Sequence, residues 1–224
     1  PNVVSELQFL GESYEGRPIY AVKLSDNPNI DEDEPEVLYT GLHHAREPMS
    51  YMNLFYYMYW LVENYGSDTE ATALLNNREM WFIPMVNPDG LVYNEGINSN
   101  GGGMQRKNHR ETCSSNDDQY DWDGIDLNRN YSYQWAFDND GSSPDPCSQT
   151  YRGTTPFSEP ETQIVKNFVE SHDFPIVLNY HSYGNLLIHP LGYIAGLLPP
   201  EPDLSVFREF GNEMTEYNNY LMGT

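Results

Sequence analysis

Glu36-Val-Leu-Tyr-Thr-Gly-Leu-His-His-Ala-Arg-Glu-Pro48 is the stretch from which the rest of the chain is read. Its first half, Glu36 to Gly41, has the apolar, β-branched and aromatic content of a buried strand, and Gly41 ends it. A helix-like segment runs from Pro48 to Tyr65, which leaves His44 and Glu47 on the turn between the two. In open α/β sheets ligands bind outside the carboxyl ends of strands, where helix N-termini also point. His44 and Glu47 are three residues apart, so on a turn entering a helix both side chains converge on one point, as two ligands of a tetrahedral Zn2+ must. Taken alone, His-x-x-Glu has a competing reading as a helix-start glutamate beside an exposed histidine.

The 224 residues suffice for one domain, residues 1–224, with a well-buried core. A hydrophobic content of 38% with 14% aromatic residues excludes a disordered chain. The run Met52 to Val62 is too short to cross a bilayer and carries Asn53, so no membrane association is expected. Thirty-four acidic residues against 11 Lys plus Arg leave a formal charge of -23, which would repel a nucleic-acid backbone. Asp31-Glu-Asp-Glu34 reads as a solvated acidic loop, with Ca2+ binding as the alternative. The two cysteines, Cys113 and Cys147, lie in polar loop sequence; a disulfide between them implies an oxidising compartment, and the alternative is two free thiols. The chain opens on Pro1 with no apolar leader, as a processed product would.

Outward from the central stretch, Glu6–Leu10 and Pro18–Leu24 are expected to form a hairpin across Gly11–Arg17. Ser50–Tyr65 reads as a helix buried under a sheet, and Asp68–Asn77 as a short helix capped by Ser67 or Asp68. Arg78–Val86 is an apolar strand. Asn87-Pro-Asp-Gly90 is a turn in which Gly90 supplies a positive φ. From Asn94 to Pro156 no period is sustained, and loops this long inside compact domains are usually functional. Ser158-Glu-Pro-Glu161 reads as a capping box opening a helix to Ser171. The strands Phe174–Tyr180 and Leu186–Tyr193 and a helix over Asp203–Tyr220 complete an α/β fold with a mixed, twisted sheet flanked by helices.

Two strands thus end in histidine. If they are neighbours, His181 joins His44 and Glu47, and three protein ligands with an open fourth position make the catalytic form of a zinc site. The pieces Gly41-Leu-His-His-Ala-Arg-Glu, Asn87-Pro-Asp-Gly, Arg106-Lys, Asp126-Leu-Asn-Arg-Asn130, Tyr151-Arg-Gly with Ser158-Glu-Pro-Glu, and Asn179-Tyr-His-Ser-Tyr stand in the order found in the zinc metallocarboxypeptidases of the carboxypeptidase A family. The resemblance runs from about Gly11 to Tyr193. It implies the carboxypeptidase-like (phosphorylase/hydrolase-like) fold, one Zn2+ per chain on His44, Glu47 and His181, and Asp126 holding His44 in its metal-binding tautomer.

The resemblance further implies that Asn128 and Arg129 grip a substrate's terminal carboxylate. Arg106 would stabilise the oxyanion as zinc-activated water adds to the scissile carbonyl, and Arg46 would assist in binding. Ser182 and Tyr183 correspond to subsite residues, and Cys113 and Cys147 to the family's loop-closing disulfide. The grouping of Arg106, Lys107, Arg110 and Arg129 in one loop region also favours anion binding. His43 is not expected to be a ligand, and His109, His172 and His189 read as surface or packing residues.

One departure stands out. The family's general base, a glutamate assisted by a tyrosine, belongs to a later segment than Thr224, as do the specificity pocket and the last strand, so the sheet is expected to be incomplete at its C-terminal end and the chain poorly active. Glu209, Glu213 and Glu216 read as the solvated face of the last helix. The function implied is a secreted, extracellular or periplasmic metallocarboxypeptidase acting on peptides or proteins with a free C-terminus. The alternatives are a non-catalytic zinc/peptide-binding module and a zinc amidohydrolase acting on N-acyl amino acids. Oligomeric state, terminal-residue preference and natural substrate are not readable from the sequence.

Overall fold

The structure, a computed structural model, describes residues 2–97, 102–113 and 123–223. It falls into two compact units, Pro1–Ser182 and Tyr183–Thr224. The first carries a five-stranded sheet of β1 (Gln8–Glu12), β2 (Pro18–Leu24), β3 (Glu36–Gly41), β4 (Glu79–Ile83) and β5 (Ile176–Tyr180), in the order β1-β2-β4-β3-β5. β1 and β2 form the expected antiparallel hairpin, β2 pairs antiparallel with β4, and β3 runs parallel to both β4 and β5. Two apolar clusters fill the unit, one around Leu24, Leu54, Leu61 and Phe82 and the other around Ile19, Leu38, Ile83 and Phe168. The strands in the middle of the sheet are therefore apolar on both faces, as crossover-connected strands must be. β5 is an edge strand among the described residues, and Val177 on it is half exposed.

Helix α1 (Pro48–Asn64) begins where Pro48 ends the turn, but only part of it is core. Ser50, Leu54 and Leu61 are buried, whereas Met49, Met52, Tyr56 and Tyr59 are exposed, so the expectation of a helix wholly under the sheet is corrected: one apolar stripe faces outward. Asp68 caps α2 (Thr69–Leu75) by accepting from the Glu70 and Ala71 amides.

The expected turn at Asn87-Pro-Asp-Gly90 is the start of helix α3 (Pro88–Ile97), with the Asn87 side chain accepting from the Gly90 amide at 3.1 Å. Gly90 is not in a positive-φ conformation. A Cβ there would lie 2.6 Å from Ala45 Cβ and 2.7 Å from the Lys107 carbonyl, so its role is close approach. The supposed loop from Asn94 thus begins as helix and also contains a 3-10 turn, Leu127–Arg129; its parts 98–101 and 114–122 lie outside the described residues.

Helix α4 (Pro160–Glu170) starts one residue later than the capping box requires. Glu159 takes the N-cap position without a side-chain cap, because its carboxylate is committed to Arg110 and Asn108, and Glu161 instead accepts from the Tyr14 amide at 2.9 Å. The acidic stretch Asp31–Glu34 leaves Asp31 and Asp33 in solvent. Glu32 and Glu34 gather with Asp26, and nothing supports the Ca2+ alternative.

In the second unit, β6 (Leu186–Ile188) pairs parallel with β7 (Leu221–Gly223), a strand the sequence did not announce. Helix α5 (Asp203–Thr215) stops short of Tyr220, and Asn219 takes a positive φ before the chain enters β7. Glu209, Glu213 and Glu216 are exposed as expected.

Candidate metal centre

Gly41 and Tyr180 are register partners on the neighbouring parallel strands β3 and β5. The residues just beyond each strand therefore open on the same edge of the sheet, and the rings of His44 and His181 lie 4.6 Å apart. The turn from Leu42 to Glu47 is held by its surroundings. Asn87 Nδ2 donates to the His43 and Lys107 carbonyls, the Ala45 amide donates to the Arg106 carbonyl at 3.0 Å, and Ser50 Oγ accepts from the Leu42 amide. The Asn87 motif thus ties the turn to the segment that carries Arg106.

Three donor atoms converge. His44 Nδ1 lies 2.9 Å from Glu47 Oε1, His181 Nδ1 lies 2.8 Å from Glu47 Oε2, and the two Nδ1 atoms are 3.1 Å apart. Two nitrogens on a tetrahedral ion at about 2.0–2.1 Å stand about 3.3 Å from one another, so this donor set fits zinc with only a slight opening. The Ser182 amide also donates to Glu47 Oε2 at 3.2 Å. Glu47 opens α1 without capping it because its carboxylate is turned to the histidines.

His44 Nε2 faces Asp126 Oδ1 at 3.1 Å, the arrangement that puts the ring proton on Nε2 and leaves the Nδ1 lone pair for a metal. Asp126 is fully buried and accepts a forked pair of bonds from Arg106 Nε and Nη2 on its other oxygen. Burial opposes ionising both Asp126 and Glu47, but hydrogen bonds from the histidines, with Arg106 adding its charge at Asp126, outweigh it and hold both carboxyls well below the usual range. Burial likewise opposes charge on His44, and its bonds to Asp126 and Glu47 more than compensate, raising its pKa.

Asn128 Nδ2 lies 3.3 Å from His181 Nε2, and Arg129 beside it donates to the Gly141 and Asn128 carbonyls. Arg106 Nη1 is 3.2 Å from His44 Nδ1, at the edge of the donor set. Arg46 is exposed on the same turn, and Tyr183 is fully exposed. Two of the four clustered cations are absorbed elsewhere: Lys107 is buried with Nζ on the Ser148 carbonyl, and Arg110 pairs with Glu159 and stacks on Tyr14. The grouped basic residues are therefore half scaffold, because buried carbonyls and a buried carboxylate need donors. Cys113 and Cys147 form the disulfide.

His43 is not among the converging donors; its Nε2 meets the Tyr131 hydroxyl at 2.7 Å. His109 pairs with Glu15, His172 stacks on Phe174, and His189 stacks on Phe207, all packing or surface roles. Residues that the sequence did not single out do much of the positioning. Asn130 binds the Arg152 and Thr155 carbonyls, Ser158 Oγ and the Glu159 amide, and Asn108 binds Glu159 and the Ile125 amide. An asparagine in a polar loop carries no local sign that it will be buried.

A zinc carboxypeptidase family profile matches residues 1–223. Metallocarboxypeptidase A of Trichophyton tonsurans is 33% identical over 200 residues, covering 88% of this chain and 44% of that protein. Carboxypeptidase A1 of Sus scrofa is 36% identical over 195 residues, covering 86% and 43%. Among solved structures, carboxypeptidase A from Helicoverpa armigera matches with a TM-score of 0.80 at 27% identity, over 100% of this chain and 53% of that one. The chain spans less than half the length of the curated relatives named here.

Proposed function

Because the chain belongs to the zinc carboxypeptidase family, we propose that it forms part of the catalytic domain of a metallocarboxypeptidase that hydrolyses the C-terminal peptide bond of peptides and proteins. The observation that carries this reading is the convergence of His44 Nδ1, the Glu47 carboxylate and His181 Nδ1 at the carboxyl ends of two adjacent parallel strands, with Asp126 behind His44. Those three side chains would hold one Zn2+, which supplies Lewis acidity toward a carbonyl and lowers the pKa of water.

The chain's own residues supply the rest. Asp126 keeps the His44 proton on Nε2 and orients the Arg106 guanidinium so that Nη1 sits at the edge of the donor set, 3.2 Å from His44 Nδ1, where it would turn to a developing oxyanion. Asn128 Nδ2 stands 3.3 Å from His181 Nε2 and Arg129 follows it on the same 3-10 turn, an amide and a cation that suit a terminal carboxylate and would select a free C-terminus. Arg46 and Ser182 would line the approach of the peptide. The Cys113–Cys147 disulfide supports a secreted, extracellular or periplasmic location.

Metal analysis after dialysis against Zn2+ tests the site: one zinc per chain is expected, and His44→Ala abolishes it while the fold remains. A folded wild-type chain that takes up no zinc overturns the assignment. Calorimetry with a blocked dipeptide, as free acid and as C-terminal amide, tests the substrate class; equal affinity for the two overturns the exopeptidase reading.

A further inference from the structure

Resting on that reading, we propose that His43 and Tyr131 form a positioning pair that sets the distance between the metal turn and the carboxylate-binding strip Asn128–Arg129. The dipeptide His43-His44 grips the segment 126–131 at both ends. His44 Nε2 holds Asp126 at 3.1 Å, and His43 Nε2 holds the Tyr131 hydroxyl at 2.7 Å. Asn128 and Arg129 lie between these two pins on the 3-10 turn Leu127–Arg129. From the other side, Asn130 anchors the same segment to the Arg152 and Thr155 carbonyls.

The pair is buried and specific. His43 is 2% exposed, its carbonyl accepts from Asn87 Nδ2, and its ring is oriented by the Tyr131 hydroxyl at 2.7 Å together with the Asn179 side chain on β5. The Tyr131 ring is fixed edge-on against Phe157, 5.7 Å between centroids. His43 also lies 6.0 Å from the His181 ring, so the pair abuts the strand that brings the third donor. An aliphatic residue would fill the buried His43 site with no ring nitrogens to satisfy, so packing alone does not require histidine there.

The chemistry needs such a link. An enzyme that cuts one residue from a C-terminus must present carboxylate grip and reacting centre about one Cα–Cα step of ~3.8 Å apart along the substrate, and a misplacement of about 1 Å costs roughly a hundredfold in rate. Asn130 ties the strip to the 152–158 loop, but toward the metal turn a single pin at Asp126 would leave it free to tilt. The second pin at Tyr131 removes that freedom.

The test compares wild type with Tyr131→Phe, His43→Leu and His43→Gln, the last placing an amide nitrogen where Nε2 stands. Readouts are zinc affinity, melting temperature, and calorimetric affinity of the zinc-loaded chain for the blocked dipeptide as free acid and as amide. Tyr131→Phe and His43→Leu should retain zinc within about threefold and lose roughly tenfold in preference for the acid over the amide, while His43→Gln keeps most of that preference. An unchanged preference in folded, zinc-loaded Tyr131→Phe overturns the pair, as does a loss that follows zinc affinity. Failure of the wild-type chain to bind zinc or to prefer the acid overturns the functional reading itself, a result distinguishable because it appears before any substitution.

Discussion

Asp126 is the residue on which the candidate centre turns. It is fully buried, and it stays ionised only because His44 and the forked Arg106 guanidinium surround it. Asp126→Asn preserves the shape but replaces one acceptor oxygen with a donor amide, which disturbs the His44 tautomer and releases Arg106. We expect zinc affinity to fall by about 10–100-fold, as it does when a carboxylate behind a metal-binding histidine is lost, with competition against a chromophoric chelator as the readout; unchanged affinity would remove Asp126 from this role. At this scale the sequence was informative where residue type and short spacing coincide, as in His44-x-x-Glu47. It was silent at Asn130 and Asn108, whose burial depends on loops that are distant in sequence.

The start of α4 is an element under electrostatic load. Glu159 and Glu161 are both fully buried there, and Asn108 Nδ2 reaches both carboxylates, at 2.6 and 3.4 Å. Arg110 compensates Glu159, while Glu161 has the Tyr14 amide. Burial, with Glu159 and Asp89 adding their negative charges, pushes the Glu161 carboxyl up to about 7 from 4.5. A folded-state pKa above the unfolded one stabilises fully below pH 4.5, and the gain is lost as pH rises through 7. Thermal melts of wild type should therefore show a falling contribution from this group between those limits. Glu161→Gln should flatten that part of the profile, and an unaltered pH slope would reject the assignment. The capping-box reading of Ser158–Glu161 missed this because it treats the helix terminus as a local matter. Glu161 is claimed by the hairpin loop at Tyr14, 147 residues away.

Across the whole molecule, the disulfide ties together the loop region that carries much of the site. Cys113 and Cys147 are 34 residues apart, and the closed segment contains Asp126, Asn128, Arg129 and Tyr131. In the chain-entropy picture a loop of this length contributes about 4 kcal/mol. Cys113→Ser with Cys147→Ser should lower unfolding free energy by up to that amount in denaturant titrations and loosen zinc binding; an unshifted midpoint would show that the non-covalent ties, such as Lys107 to the Ser148 carbonyl, suffice. The sequence by itself determined the strands at 18–24 and 36–41, the strand at 176–180 with two residues too many at its start, the turn that joins His44 to Glu47, and the ordered motifs by which the family is recognised. Those signals are written in contacts between residues a few positions apart. Tertiary structure alone decided that β3 and β5 are neighbours, that His181 meets a glutamate 134 residues earlier, that half of the basic cluster is scaffold, and that His43 reaches Tyr131. Strand order and loop packing bring those groups together, and neither leaves a period or a spacing in the chain.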